Sequence, residues 1–122
     1  MSRRAFRRHK YGVAARADRT HNGVVYHSRA EMLYAIQLEL MPDVRSVVRQ
    51  VPVQLGPDFK TVVDFMVEYT DGRTEYVEVK GHETAGFKQV LRLWEKYRPG
   101  TLRVVRRGRR GFETYRVVEG KQ

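Results

Sequence analysis

The sequence predicts a mixed α/β (α+β) domain: one mixed β-sheet with helices lying against it. Three observations predict it. A chain of 122 residues suits one hydrophobic core. Stretches with apolar residues at every second position follow stretches with helical spacing, in the order β-α-β-β-β-α-β-β. Short runs of Gly, Pro, Asp and Asn separate them. Strands and helices interleaved in this way pack as a sheet covered by helices.

Residues 1–20 show no period and are rich in Arg, and they are expected to form a basic arm, mobile or bound to a partner. His21-Asn22-Gly23 marks a turn, and "GVVYH" (23–27) a short strand. Ser28 followed three residues later by Glu31 is a capping box, so a helix is expected over 29–41, with Leu33, Ile36 and Leu40 as its apolar stripe. Pro42-Asp43 breaks it. Residues 44–55 read as a strand that Pro52 places at a sheet edge or a bulge. Gly56-Pro57-Asp58 turns the chain into a strand over 61–69, and Thr70-Asp71-Gly72 turns it again into 73–80. In "FKQVLRLWEKY" (87–97), Phe87, Val90, Leu91 and Trp94 fall on one helical face. Pro99-Gly100 ends that helix. "TLRVVR" and "FETYRVV" are two further strands joined by "RGRRG". The expected organisation is a single domain over 1–122: the arm at 1–20, a core at 21–106 and a basic C-terminal hairpin at 107–122.

The net charge of +10 is unevenly distributed. Residues 1–20 carry +6, residues 98–122 carry +6 and the middle carries −2. Basic flanks around a slightly acidic centre attract a polyanion, and nucleic acid is the usual one. Without a cysteine there is no disulfide and no thiolate zinc site, which fits a reducing cytoplasm. No apolar run approaches the ~20 residues of a membrane span, and the basic start has no apolar stretch of a secretory signal behind it. The four histidines, His9, His21, His27 and His82, form no zinc-ligand pattern. No G-x-x-x-x-G-K-[ST] loop is present, so no nucleotide cofactor is expected.

The hairpin fixes a register. Thr70-Asp71-Gly72 suits a three-residue loop with Gly72 in the left-handed region, which pairs Tyr69 with Arg73. Asp64 then lies opposite Glu78, and Lys80 shares their face, while Val63, Phe65, Val77 and Val79 turn to the core. A two-residue loop would mix acids and valines on both faces. Two carboxylates directly opposite each other repel. A divalent cation reverses that cost, and Mg²⁺ typically takes one or two carboxylates plus waters and phosphate oxygens. Lys80 beside such a pair can orient an attacking water and offset developing charge.

Asp64, then Glu78-Val79-Lys80 after the turn, resembles the D…(D/E)-x-K core of the PD-(D/E)XK nuclease superfamily. Val63 stands where many members have Pro. "VVYHSRAEMLYAIQLEL" is similar to the first helix of such nucleases, with Glu31 at the position of its acidic residue, and residues 22–104 fit their order helix–strand–hairpin–helix–strand. The resemblance is strongest to small phage-type endonucleases and, at greater distance, to archaeal-type Holliday junction resolvases. It implies a restriction-endonuclease-like fold and Mg²⁺-dependent DNA hydrolysis, with Mn²⁺ substituting, in the cytoplasm of a bacterial or phage-infected cell. Asp64, Glu78 and the Val79 carbonyl would hold the metal, Glu31 would assist there or serve only as a helix cap, and Lys80 would position water. The two-fold symmetry of a four-way junction suggests a homodimer. A different nuclease on the same core, end-cutting or repair, and a non-catalytic nucleic-acid-binding module are the alternatives. The DNA-contacting set would be Arg3, Arg4, Arg7, Arg8 and Lys10 in the arm, Gln50 at the site edge, Lys88 and Arg92 on the second helix, and Arg106, Arg107, Arg109 and Arg110 at the C-terminal hairpin. Gln50 reads equally as an exposed strand glutamine; Lys88, Arg92 and Lys96 form a basic stripe spaced by four on the second helix, in which Lys96 reads nearly as well as part of a solvated face.

Overall fold

A computed structural model describes residues 13–120. The candidate arm residues Arg3, Arg4, Arg7, Arg8 and Lys10 lie outside the described residues. The described residues have mixed α+β content, as the sequence predicts: two α-helices, a five-stranded mixed sheet and a two-stranded one. The chain divides after Leu40 into two compact units.

The first unit corrects part of the arm expectation. Residues Arg16–Arg19 form a 3-10 turn, followed by the two-residue strands β1 (Thr20–His21) and β2 (Val24–Val25). Ala14 and Asp18 are buried. Side-chain hydrogen bonds fix this segment: Arg19 donates to the carbonyls of Ala14 and Tyr26, and Arg29 donates to that of Asp18. Such bonds leave no periodicity in the sequence. Asn22 and Gly23, at φ 50° and 78°, make the expected tight turn between β1 and β2.

Helix α1 (Arg29–Glu39) starts where the capping box puts it: the Glu31 amide donates to Ser28 Oγ at 3.0 Å. Its buried residues are Glu31, Met32, Tyr34, Ala35 and Leu38, whereas Leu40 is 78% exposed. The expected stripe of Leu33, Ile36 and Leu40 is therefore wrong. The helix is apolar around most of its circumference, so spacing alone does not select the buried face.

The second unit is a sheet of order β3-β4-β5-β6-β7. Its strands are β3 (Val44–Gln54), β4 (Lys60–Tyr69), β5 (Thr74–Val79), β6 (Thr101–Gly108) and β7 (Gly111–Glu119). All neighbours are antiparallel except β5 and β6, which run parallel because α2 (Ala85–Tyr97) crosses between them. β3 is an edge strand, which accommodates Pro52. α2 begins two residues before the sequence suggests because Thr84 Oγ1 accepts from the Phe87 amide. Its predicted stripe, Phe87, Val90, Leu91 and Trp94, is buried in one cluster with Val53, Leu55, Val63, Leu102 and Val104. Trp94 is fully buried and meets the Tyr76 ring edge-on.

On the sheet, buried Glu75 accepts from Arg103 Nε at 2.8 Å and from the Tyr69 hydroxyl at 2.7 Å. Burial pushes its pKa up, but those two hydrogen bonds with the charges of Arg103 and Arg73 outweigh it, and the carboxylate stays ionised. This network joins residues 28 apart in sequence and is not visible there.

Candidate active site: a carboxylate pair where two strands part

The hairpin adopts the predicted register. Gly72, at φ 89°, closes the loop, the Tyr69 amide donates to the Arg73 carbonyl at 2.8 Å, and Phe65↔Val77 is the fourth of four regular pairs that follow. Regular pairing then stops, one residue short of Asp64 and Glu78. Tyr69 points its backbone amide at β5, so alternation would point the amide of Asp64 at β3. Instead the Asp64 amide donates to Glu78 Oε1 at 3.0 Å. The Val79 amide in turn donates to Asp64 Oδ2 at 2.9 Å, in place of a ladder bond. Each carboxylate thus takes a backbone donor from the opposite strand.

This rotation at Asp64 also corrects the expected faces. Phe65 and Val77 are fully buried, as predicted, but Val63 packs in the α2 cluster, to which they do not belong. Tyr76 packs there too, and it pairs with Met66. Positions 63 and 66 therefore share a side, which unbroken alternation forbids. Val79 is only half-buried.

The neighbouring strand departs from regularity in the same row. Arg49 pairs with Phe65 and Val51 with Val63, so Gln50 faces Asp64. Gln50 has φ 51°, a left-handed conformation costing a non-glycine residue about 1–2 kcal/mol. Gln50, Asp64 and Glu78 thus form one row across three strands, with irregular backbone at its first two members.

Glu78 is buried at 8% exposure, and its pKa is pushed up to about 9. Burial is the main cause, followed by the charge of Asp64 and a hydrogen bond between the two carboxyl groups. Lys80 opposes the shift, with Nζ 4.0 Å from Glu78 Oε2. The Lys80 ammonium also sits 5.0 Å above the Phe87 ring, so α2 helps to hold it. The Lys80 amide donates to the Val105 carbonyl of β6, so the Val79 amide and carbonyl face β4, on the side of Asp64.

Among the described residues no three or more His, Cys, Asp or Glu side chains form a metal-holding group. The donors brought together are the two carboxylates and the Val79 carbonyl. They fit a hard cation: all the donors are oxygens, and two carboxyl groups are held side by side where their charges repel. Glu31 is buried in the first turn of α1, within the first unit.

The remaining candidates are spread over exposed surface. Lys88, Arg92 and Lys96 are exposed along α2, and Arg106, Arg107, Arg109 and Arg110 are exposed at the β6–β7 turn. Arg106 also pairs with Glu113 at 2.8 Å. Sequence reading missed Arg116, which faces Glu83 at 3.2 Å; a lone arginine in a strand gave no signal. No described helix is long and apolar enough to cross a membrane.

Fold and site define a mixed α+β protein carrying a strand-borne carboxylate pair with an adjacent lysine. Comparison with family models, curated proteins and solved structures finds no match to this chain.

Proposed function

We propose that this chain is a Mg²⁺-dependent DNA endonuclease. The observation that carries the reading is half-buried Asp64 paired with buried Glu78, with Lys80 at 4.0 Å from Glu78. Confining two acids costs stability unless a cation or a proton offsets it. The order α1, β3, β4–β5, α2, β6 is also the order that the PD-(D/E)XK resemblance implies.

Asp64, Glu78 and the Val79 carbonyl would hold Mg²⁺, or Mn²⁺ in its place. When bound, the metal supplies Lewis-acid polarisation of the phosphate and a lower pKa for water. The chain's own groups do the rest. The crossed amide bonds fix one oxygen of each carboxylate and leave the others to the site. The Lys80 ammonium orients the attacking water and offsets charge building on the phosphate. Gln50 offers an amide beside Asp64. The exposed arginines bind the DNA backbone without reading sequence.

The substrate proposed is branched DNA, above all the four-way Holliday junction, cut symmetrically by a homodimer. A junction presents two scissile phosphates related by a two-fold axis, so two sites are needed. The test is a panel of labelled four-way junction, flap, duplex and single strand, with Mg²⁺ or EDTA. Paired symmetric nicks in the junction, with duplex cut slowly, support the resolvase. Equal cutting of duplex leaves an end-cutting or repair nuclease on the same site. Tight binding without Mg²⁺-dependent cutting leaves a non-catalytic module.

A further inference from the structure

Immediately after Lys80 the chain enters a groove between the first half of α2 and β7. Two adjoining cavities of about 270 and 460 Å³ lie there and share Glu83, Lys88 and Arg116. Lys88, Arg92, Arg106 and Arg116 contribute four cations to their walls. Glu83 and Glu95 are the acids in those walls, and Arg106 is also paired with Glu113 outside them. Lys88 and Arg92 are four apart on α2, where like charges repel, and among the described residues neither has an ion-pair partner.

Glu83 is the anomaly. Its side chain is only 13% exposed, and its Oε2 lies 3.2 Å from Arg116 Nε. The half-buried Tyr115 side chain lies beside it: desolvation first, then the charge of Glu83, pushes the tyrosine pKa up and keeps the hydroxyl protonated. A carboxylate thus sits against a guanidinium fork and a phenol, in a groove where cations outnumber acids four to two. Those are the groups that recognise a phosphate.

We propose that this groove is a subsite for a backbone phosphodiester flanking the cleaved one, and that Glu83 occupies it in the free protein as a carboxylate stand-in held on Arg116. The proposal rests on the reading that the chain handles DNA. The incoming phosphate takes Arg116 from Glu83, with Lys88 and Arg92 completing its shell. Arg116 becomes a DNA-binding residue, and Glu83 an internal competitor that weakens binding.

The test uses the full chain carrying Asp64→Asn, so that DNA survives the measurement. Affinity for a labelled four-way junction is measured by anisotropy at several salt concentrations, with thermal melting of each variant. Arg116→Ala should weaken binding about tenfold and flatten the plot of log K against log salt by about one unit. Glu83→Gln should bind severalfold tighter, which a purely structural Glu83–Arg116 pair would not produce. Arg116→Lys should fall between wild type and Arg116→Ala. If Arg116→Ala melts early, Glu83→Gln and Lys88→Ala decide. Unchanged or weaker binding by Glu83→Gln, with its melting temperature intact, overturns the proposal while the nuclease reading stands. Absence of any DNA binding by the parent protein overturns both.

Discussion

Replacing Glu78 by Gln tests the carboxylate pair through stability, independently of activity. Burial and the neighbouring Asp64 raise the folded pKa of Glu78 from 4.5 to about 9. The folded state therefore binds a proton that the unfolded chain releases above pH 4.5. The stability this proton confers is fully present below that pH and is lost as pH rises toward 9. The slope approaches about 1.4 kcal/mol per pH unit, on the order of 4 kcal/mol between about pH 5 and 8. In a domain of this size that is a fall of about 12–16 °C in melting temperature. Glu78→Gln keeps the shape and removes the titration. In EDTA it should melt at least as high as wild type at pH 8, and the difference between the two should vanish near pH 5. Millimolar Mg²⁺ should raise the melting temperature of wild type more at pH 8 than at pH 6, because at low pH it competes with the proton. It should raise that of the variant little. Calorimetry on both proteins, with and without metal, reads all of this. The same pH slope in both proteins, or a variant less stable than wild type at pH 8 in EDTA, would refute the reasoning.

Other perturbations probe separate parts of the structure. Gln50→Gly relieves the positive φ at that position, so denaturant unfolding should show no loss of stability, while cleavage falls if the amide serves the site. Gly56→Ala should cost at least about 2 kcal/mol in the same assay: φ is 84° there, and a Cβ would come within 2.8 Å of the Tyr97 ring. Deleting residues 2–10 removes five basic residues, Arg3, Arg4, Arg7, Arg8 and Lys10; the salt dependence of DNA binding should become shallower and the melting temperature should hold.

The readable features were those written in local chemistry. Thr70-Asp71-Gly72 dictated the hairpin register because only one loop length keeps Val77 and Phe65 inside. Ser28 announced α1, and the spacing of Phe87, Val90, Leu91 and Trp94 announced α2 with its buried face. The candidate site's three principal side chains came from that same register. What stayed hidden lies in long-range or backbone detail. The apolar girth of α1 concealed its buried side. The turn at Arg16–Arg19 depends on arginine side chains capping distant carbonyls. Neither the positive φ of Gln50 nor the rotation at Asp64 follows from residue type, since glutamine and aspartate both occur in regular strands. Glu83–Arg116 forms only when β7 meets the loop after β5.

The most direct measurement is single-turnover cleavage of a labelled four-way junction by wild type and Asp64→Asn, each with Mg²⁺, Mn²⁺, Ca²⁺ or EDTA. Wild type should cut with Mg²⁺ or Mn²⁺, and cutting should be suppressed by Ca²⁺, whose longer bonds and looser geometry suit the site poorly. Asp64→Asn should bind the junction and leave it whole under every condition. Normal cutting by Asp64→Asn, or wild-type cutting that persists in EDTA, would contradict a metal-dependent nuclease centred on Asp64 and Glu78.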